Sequence, residues 1–291
     1  MRPQTLTFGV PHTYSLEKLL NETDYSKVYQ AYDDTAERPV CIKQINVQVF
    51  ASTVSDPLKK IQEEIRAMTT IGNDTPHIPC LLDHFYDPNT GILSIVMQLC
   101  NGVDLREKMT PQTPSGTFLQ YMIDLCDALA VMHSHHIYHK DIKPANIRIA
   151  KDNTLILLDF NTSLSAPNLY EGTPGYRAPE METKDMTANR SKADIFAVGL
   201  LLYQFYAQVL PMNGMHYYAD GQAWGAFVPP SKSKNALPMP YGLEPVIMKC
   251  LSFQPDDRYD AISLKRKLQQ IREGEIEWKL KKRIQKNMPK P

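Results

Sequence analysis

The stretch His139-Lys140-Asp141-Ile142-Lys143-Pro144-Ala145-Asn146, followed by Asp159-Phe160-Asn161, decides the reading of this chain. It gathers two carboxylates, an amide oxygen and a lysine into a short span. Transfer of a phosphoryl group needs such parts: a carboxylate to orient the accepting hydroxyl, oxygen ligands for magnesium, and a cation against the phosphates. Asp141 can accept the proton of an alcohol. Lys143 lies two residues on, on the same side of an extended loop, and can neutralise the moving group. Asn146 and Asp159 offer hard oxygens, which suit a Mg2+ ion that keeps waters and phosphate oxygens as its other ligands.

Outward from this stretch the chain changes texture. From about Tyr14 to Met97 it is β-like, with Val28–Tyr32 and Val40–Lys43 as strands around the turn Asp33-Asp34-Thr35. Leu58, Ile61, Ile65, Met68 and Ile71 interrupt it at helical spacing. Ile92–Leu99 returns to strand character. After Asn101-Gly102 the long apolar-periodic stretches Thr117–His133, Ala193–Tyr206, Leu243–Leu251 and Ala261–Ile271 predict helices. Prolines 229–230 and 238–240 mark an irregular loop between two of them. An α+β architecture follows, with a small β-rich half over 14–100 and a larger helical half over 101–270. The chemistry is expected between them.

These segments resemble the eukaryotic-type protein kinase family, whose H-R-D-x-K-x-x-N loop and D-F-G motif they match. The resemblance covers about residues 14–270 and implies the bilobal kinase fold. It also implies use of ATP and Mg2+, with Asp141 and Lys143 catalytic and Asn146 and Asp159 as metal ligands. Lys43 in Val40-Cys41-Ile42-Lys43 resembles the lysine that holds the α- and β-phosphates. Glu64, rather than Glu63, is placed to pair with it. Gly172–Glu180 matches the end of an activation segment, Asp194–Gly199 a central helix, and Arg258 the buried partner of Glu180. Met97 resembles the residue before the hinge, so backbone groups of Gln98 and Cys100 would meet the adenine edge and Asp104 the ribose. Lys143 together with Thr173 is the serine/threonine pattern, which implies a protein substrate carrying Ser or Thr.

Four positions depart from the family. The phosphate-loop segment reads Asn21-Glu22-Thr23-Asp24-Tyr25-Ser26, ahead of Val28, and has no glycine. Glycine there lets N–H groups approach phosphate closely, so Asn21, Thr23 and Ser26 must do that work with side chains attached. Asn161 replaces the D-F-G glycine, and asparagine enters positive φ readily. Lys140 replaces arginine, which removes a bidentate grip on phosphate. Weak dependence on phosphorylation of Thr162, Ser163 and Ser165 is therefore expected. Arg148 stands where the family places an apolar residue beneath adenine. Strand alternation turns it toward the cleft, where it either stacks on the base or pairs with a carboxylate such as Asp104. A pseudokinase that binds nucleotide or a partner without useful catalysis is the alternative these departures keep open.

Lysine plus arginine equals aspartate plus glutamate at 32 each, so net charge gives no reason to expect nucleic acid. Five scattered cysteines without a C-x-x-C pair read as free thiols rather than a disulfide framework. The start, MRPQTLTFGVPHTYS, has no secretory apolar core, and no apolar run approaches membrane-spanning length, so a cytoplasmic protein is expected. His133, His135 and His136 end a helix and read as structural rather than as zinc ligands. The basic tail 271–291 carries Ile276, Leu280 and Ile284 at i, i+4, i+8. It reads as a helix laying that stripe on the large half, or as a weak contact for an acidic partner or an anionic membrane. Oligomeric state leaves no mark on the sequence.

Overall fold

A computed structural model describes residues 4–7, 12–52, 57–159, 172–182, 189–211 and 227–287. The first half is an antiparallel sheet of β1 (Gln4–Thr7), β2 (Thr13–Glu22), β3 (Ser26–Asp33), β4 (Arg38–Asn46), β5 (Leu81–Asp87) and β6 (Ile92–Gln98), in the order β1-β2-β3-β4-β6-β5. Alternation assigns its two faces. Val40 and Ile42 of β4 are fully buried with Tyr14, Leu16, Ala31, Phe85 and Val96 on one face. Cys41, Lys43 and Ile45 fall on the other. There Ile45, Leu93 and Ile95 pack with Ile61, Met68 and Ile71, the apolar residues of helix α2 (Pro57–Ile71). A short helix α1 (Val47–Ala51), N-capped by Asn46, precedes it and is not legible in the apolar spacing.

The second half is helical. Helix α4 (Ser115–Ser134) follows the short α3 (Leu105–Lys108), and α5 is the turn Pro179–Glu182. Helix α6 (Arg190–Ala207) is the centre, with 14 of its 18 residues buried, so it presents no solvent face. Phe205 stacks on Phe118 of α4 with ring centroids 3.8 Å apart. Helix α7 (Leu243–Cys250) crosses α6 so closely that a Cβ on Gly199 would lie 2.7 Å from Cys250 Cβ; the crossing requires glycine. The thiols of Cys126 and Cys250 are buried here and all five cysteines are free.

Helix α8 runs from Ala261 to Asn287 without a break at 270/271. Leu264, Leu268 and Ile271 are buried against the lobe, and Arg272 Nε donates to Gly116 O at 3.0 Å. At 3.6 residues per turn Ile276 and Leu280 fall on the opposite side. They are 49% and 57% exposed. The tail is helical as expected, but Ile276 and Leu280 turn away from the lobe instead of lying on it, and the side chain of Ile284 lies outside the described residues. No helix among the described residues is long and apolar enough to cross a membrane.

A three-stranded sheet, β7 (Gly102–Asp104), β8 (Ile147–Ala150) and β9 (Leu155–Leu157), lies where the halves meet. The loop after α2 is tied to it: Leu157 N–H donates to His77 O at 2.8 Å, and His77 Nδ1 lies 2.9 Å from Leu155 O. This sheet carries the 139–146 loop on one side and Asp159 on the other.

Candidate active site

The 139–146 loop is held from below. Asp194, buried in α6, accepts the backbone N–H of His139 at 3.0 Å and of Lys140 at 2.7 Å, and His133 Nε2 stands 2.9 Å away. Lys140 adopts a φ of +65°, a strained conformation for a residue with a Cβ, and those two bonds hold it there. His139 is buried, with Nε2 2.9 Å from Leu158 O, and so links the loop to the approach to Asp159. The four histidines of 133–139 share no ligand geometry. His135 turns to Asp74 instead, and among the described residues no His, Cys, Asp or Glu cluster suits a metal.

The loop then folds on itself around Asp141. Its Oδ1 accepts Thr173 N–H and Thr173 Oγ1–H, both at 2.7 Å. Its Oδ2 accepts Lys143 Nζ at 2.8 Å and Asn146 Nδ2 at 3.1 Å. Lys143 also donates to Thr173 Oγ1 at 2.6 Å. Thr173 can come this close because Gly172 precedes it at φ +87°, where a Cβ would sit 2.6 Å from Lys140 O. Asp141, Lys143, Asn146 and Thr173 therefore form one connected cluster, charge-assisted throughout.

Asn146 spends its amide N–H groups on Asp141 O (2.9 Å) and Oδ2, which leaves the carboxamide oxygen facing elsewhere. Its backbone carbonyl accepts Leu158 N–H at 2.8 Å, so Asp159 follows one residue beyond. The Asp159 side chain is 39% exposed, and its Oδ1 lies 4.0 Å from Nζ of the buried Lys43. An amide oxygen and an accessible carboxylate beside a buried lysine are a donor set that fits a hard divalent cation such as Mg2+. The side chain of Glu64, together with Phe160, Asn161 and residues 162–171, lies outside the described residues.

On the roof, Asn21 is in β2 and Val28 in β3, and the turn between them is stapled. Thr23 N–H donates to Ser26 O at 2.8 Å, Ser26 N–H donates to Thr23 Oγ1 at 3.1 Å, and the two hydroxyls are 2.8 Å apart. Tyr25 leans back onto Phe50 of α1, ring centroids 5.0 Å apart. At the hinge, Gln98 N–H goes to Cys80 O at 3.0 Å, and Cys100 Sγ points to Gln98 O. Burial pushes the Cys100 thiol up to about 12; the nearby thiols of Cys41 and Cys80 add to the rise and the charge of Arg148 opposes it. Asp104 caps α3: Arg106 N–H binds its Oδ1 at 2.8 Å and Arg106 NH2 its Oδ2 at 3.3 Å. Asp104 lies opposite Arg148 in the β7–β8 register, yet it pairs with Arg106. The Thr23–Ser26 staple is not legible in the residue order, because an i,i+3 hydroxyl pair exists only once the turn has formed.

Away from the cleft, Arg258 grips Glu180 in two places, at 2.6 and 2.8 Å. Its other donors go to the carbonyls of Ser252, Lys192 and Phe253, which satisfies all five N–H groups of a guanidinium buried on the Phe196 ring.

Residues 14–268 match the family model described as protein kinase domain. Among curated proteins the chain is similar to serine/threonine-protein kinase PknB of Mycolicibacterium smegmatis, 27% identical over 276 residues, covering 90% of this chain and 43% of that protein. It is similar to serine/threonine-protein kinase PknD of Chlamydia abortus, 24% identical and covering 91% of this chain and 32% of that one. It is also similar to serine/threonine-protein kinase Pkn1 of Myxococcus xanthus, 28% identical and covering 74% and 32%. The chain thus spans less than half the length of these relatives.

Proposed function

The chain belongs to the protein kinase family, and from that premise we propose that it transfers the γ-phosphoryl group of ATP to serine or threonine hydroxyls of a protein. The observation that carries the proposal is the convergence of Lys143, Asn146 and Thr173 on the single carboxylate of Asp141. Asp141 is the group that orients the accepting hydroxyl and takes its proton as the new P–O bond forms and the bond to ADP breaks. All four of its present donors come from the protein, so one must yield to the substrate. Lys143 is the mobile one: turning Nζ from Oδ2 toward the phosphates would free that oxygen for the hydroxyl and bring a cation to the developing charge. Asn146 and Asp159 would hold Mg2+, which when bound neutralises the phosphate oxygens. Lys43 would anchor the α- and β-phosphates from β4.

The pseudokinase alternative draws on the glycine-free loop and on Arg148, and none of the residues needed for chemistry is missing from the sequence. The test is phosphoryl transfer from labelled ATP to generic protein acceptors. Asp141→Asn should lose at least about a hundredfold in turnover, and Asp159→Ala should lose magnesium-dependent ATP binding as well. Equal activity of Asp141→Asn and the parent would refute the assignment.

A further inference from the structure

Arg148 sits in β8 between Ile147 and Ile149, both fully buried in the core. Alternation puts its side chain on the other face of this strand, toward the cleft. A half-buried guanidinium normally finds an acceptor, because desolvating a charge without one is costly. The carboxylate opposite it in register, Asp104, has both oxygens engaged by Arg106. Among the described residues no hydrogen bond or ion pair engages the Arg148 guanidinium, and its charge is felt at Cys100, on the hinge. A planar cation is thus held beside the hinge with its face uncommitted.

The opposite wall of the cleft is weak in a complementary way. Of the three positions that glycine would open for phosphate, Thr23 and Ser26 direct their N–H groups into their own turn. Glu22 and Asp24 add negative charge beside them, and among the described residues only Glu22 is neutralised, by Lys27 at 2.9 Å. Two of the N–H groups that a polyphosphate could meet at this loop are therefore spent within the turn, and the charge beside them is unfavourable, which shifts the grip at that end toward Lys43 and the metal ligands.

Resting on the kinase reading above, we infer that Arg148 is a base-stacking residue and that this chain holds its nucleotide mainly by the base, so that adenosine and ADP bind nearly as well as ATP. Arginine planes stack on aromatic faces, and a base offers such a face at a position where the family provides only apolar contact. A loop that contributes little to the γ-phosphate cannot strongly favour ATP over ADP. Product would then compete with substrate at comparable concentrations.

The experiment is calorimetric titration of adenosine, ADP and ATP with Mg2+ into the parent chain, Arg148→Leu, Arg148→Lys and the double variant Thr23→Gly/Ser26→Gly. In the parent, ATP should bind no more than about tenfold tighter than adenosine. Arg148→Leu should weaken all three by a common factor of about threefold to thirtyfold. Arg148→Lys, which keeps the charge but not the plane, should weaken adenosine similarly. The glycine double variant should tighten ATP and leave adenosine unchanged. Melting temperatures without nucleotide guard against misfolding, and Arg148→Leu should match the parent. Unchanged or tighter adenosine binding by Arg148→Leu would overturn the inference while leaving the kinase assignment intact, and so would ATP binding a hundredfold tighter than adenosine in the parent. Failure of the parent to bind any of the three would overturn both.

Discussion

The carboxylate of Asp194, in the central helix, accepts the backbone N–H of Lys140 at 2.7 Å, and Lys140 is held at a φ of +65°. A strained residue directly before Asp141 persists only if something outside the loop fixes it. Asp194 also accepts His139 N–H and faces His133, so one buried carboxylate sets the path of the loop.

Asparagine at 194 would offer one oxygen and turn an NH2 toward one of the two N–H groups. Asp194→Asn should therefore lose at least about 2 kcal/mol of stability, the scale of a charge-assisted bond replaced by facing donors. Turnover should drop with ATP affinity little changed, because the loop moves while the base site stays. Urea denaturation and steady-state kinetics check this; an unaltered midpoint and turnover would contradict it.

Thr173 is the bridge between Lys143 and Asp141, donating to one and accepting from the other. Thr173→Val keeps the shape and removes both bonds. Turnover should fall about tenfold to a hundredfold, in keeping with loss of precise positioning, and Thr173→Ser should recover most of it. If valine and serine behave alike, the hydroxyl has no such role.

Much of the site can be read from residue order alone. Asp141, Lys143, Asn146 and Asp159 stand close in sequence, so their grouping is legible there, although Asp194 and Thr173, far along the chain, hold the loop in place. The helices α4, α6 and α8 are equally legible because their apolar spacing is set by the core they face. What escapes the sequence is the outcome of local competitions. Asp104 faces one arginine across the strand, Arg148, and another two residues on, Arg106, and it pairs with the nearer one, which also supplies an N-cap bond. The stripe Ile276–Leu280 has helical spacing, but spacing does not tell which way the stripe points; the phase is fixed by Leu264 and Leu268 further back. Strand β1 is four residues long and is defined only by its neighbour.

Arg258 and Glu180 are buried together, and removing either charge strands the other. Glu180→Gln or Arg258→Met alone should each cost about 3–5 kcal/mol, whereas the double change to apolar residues of similar size should cost far less than their sum. A double-mutant cycle in thermal or urea unfolding measures the difference. Simple additivity would mean that the carbonyls around Arg258, rather than Glu180, are its main hold.

Asp260 precedes α8, and its Oδ1 accepts Ser263 N–H at 2.7 Å. Burial pushes its pKa up, but the Ser263 N–H and hydroxyl and the charge of Lys192 pull harder and leave it below the ordinary value. A lowered acid contributes stability above its unfolded pKa, about 3.9, and loses it as pH falls through the folded one. Asp260→Ala should cost about 1 kcal/mol at pH 7, as loss of a cap does. The gap to the parent should narrow below about pH 4. A gap that is constant from pH 7 to pH 3 would show that the carboxylate charge is not involved.

Strand β1 pairs Gln4–Thr7 with Thr13–Leu16, outside the span shared with the kinase family. Its backbone occupies the N–H and C=O groups along that margin of the sheet, which would otherwise form a template for another chain. Loss of Gln4–Thr7 would leave the Asp141 cluster and the core untouched, yet expose that row. The trimmed protein would keep its fold and gain a tendency to join edge to edge, so its colloidal behaviour depends on a segment that lies outside the candidate site.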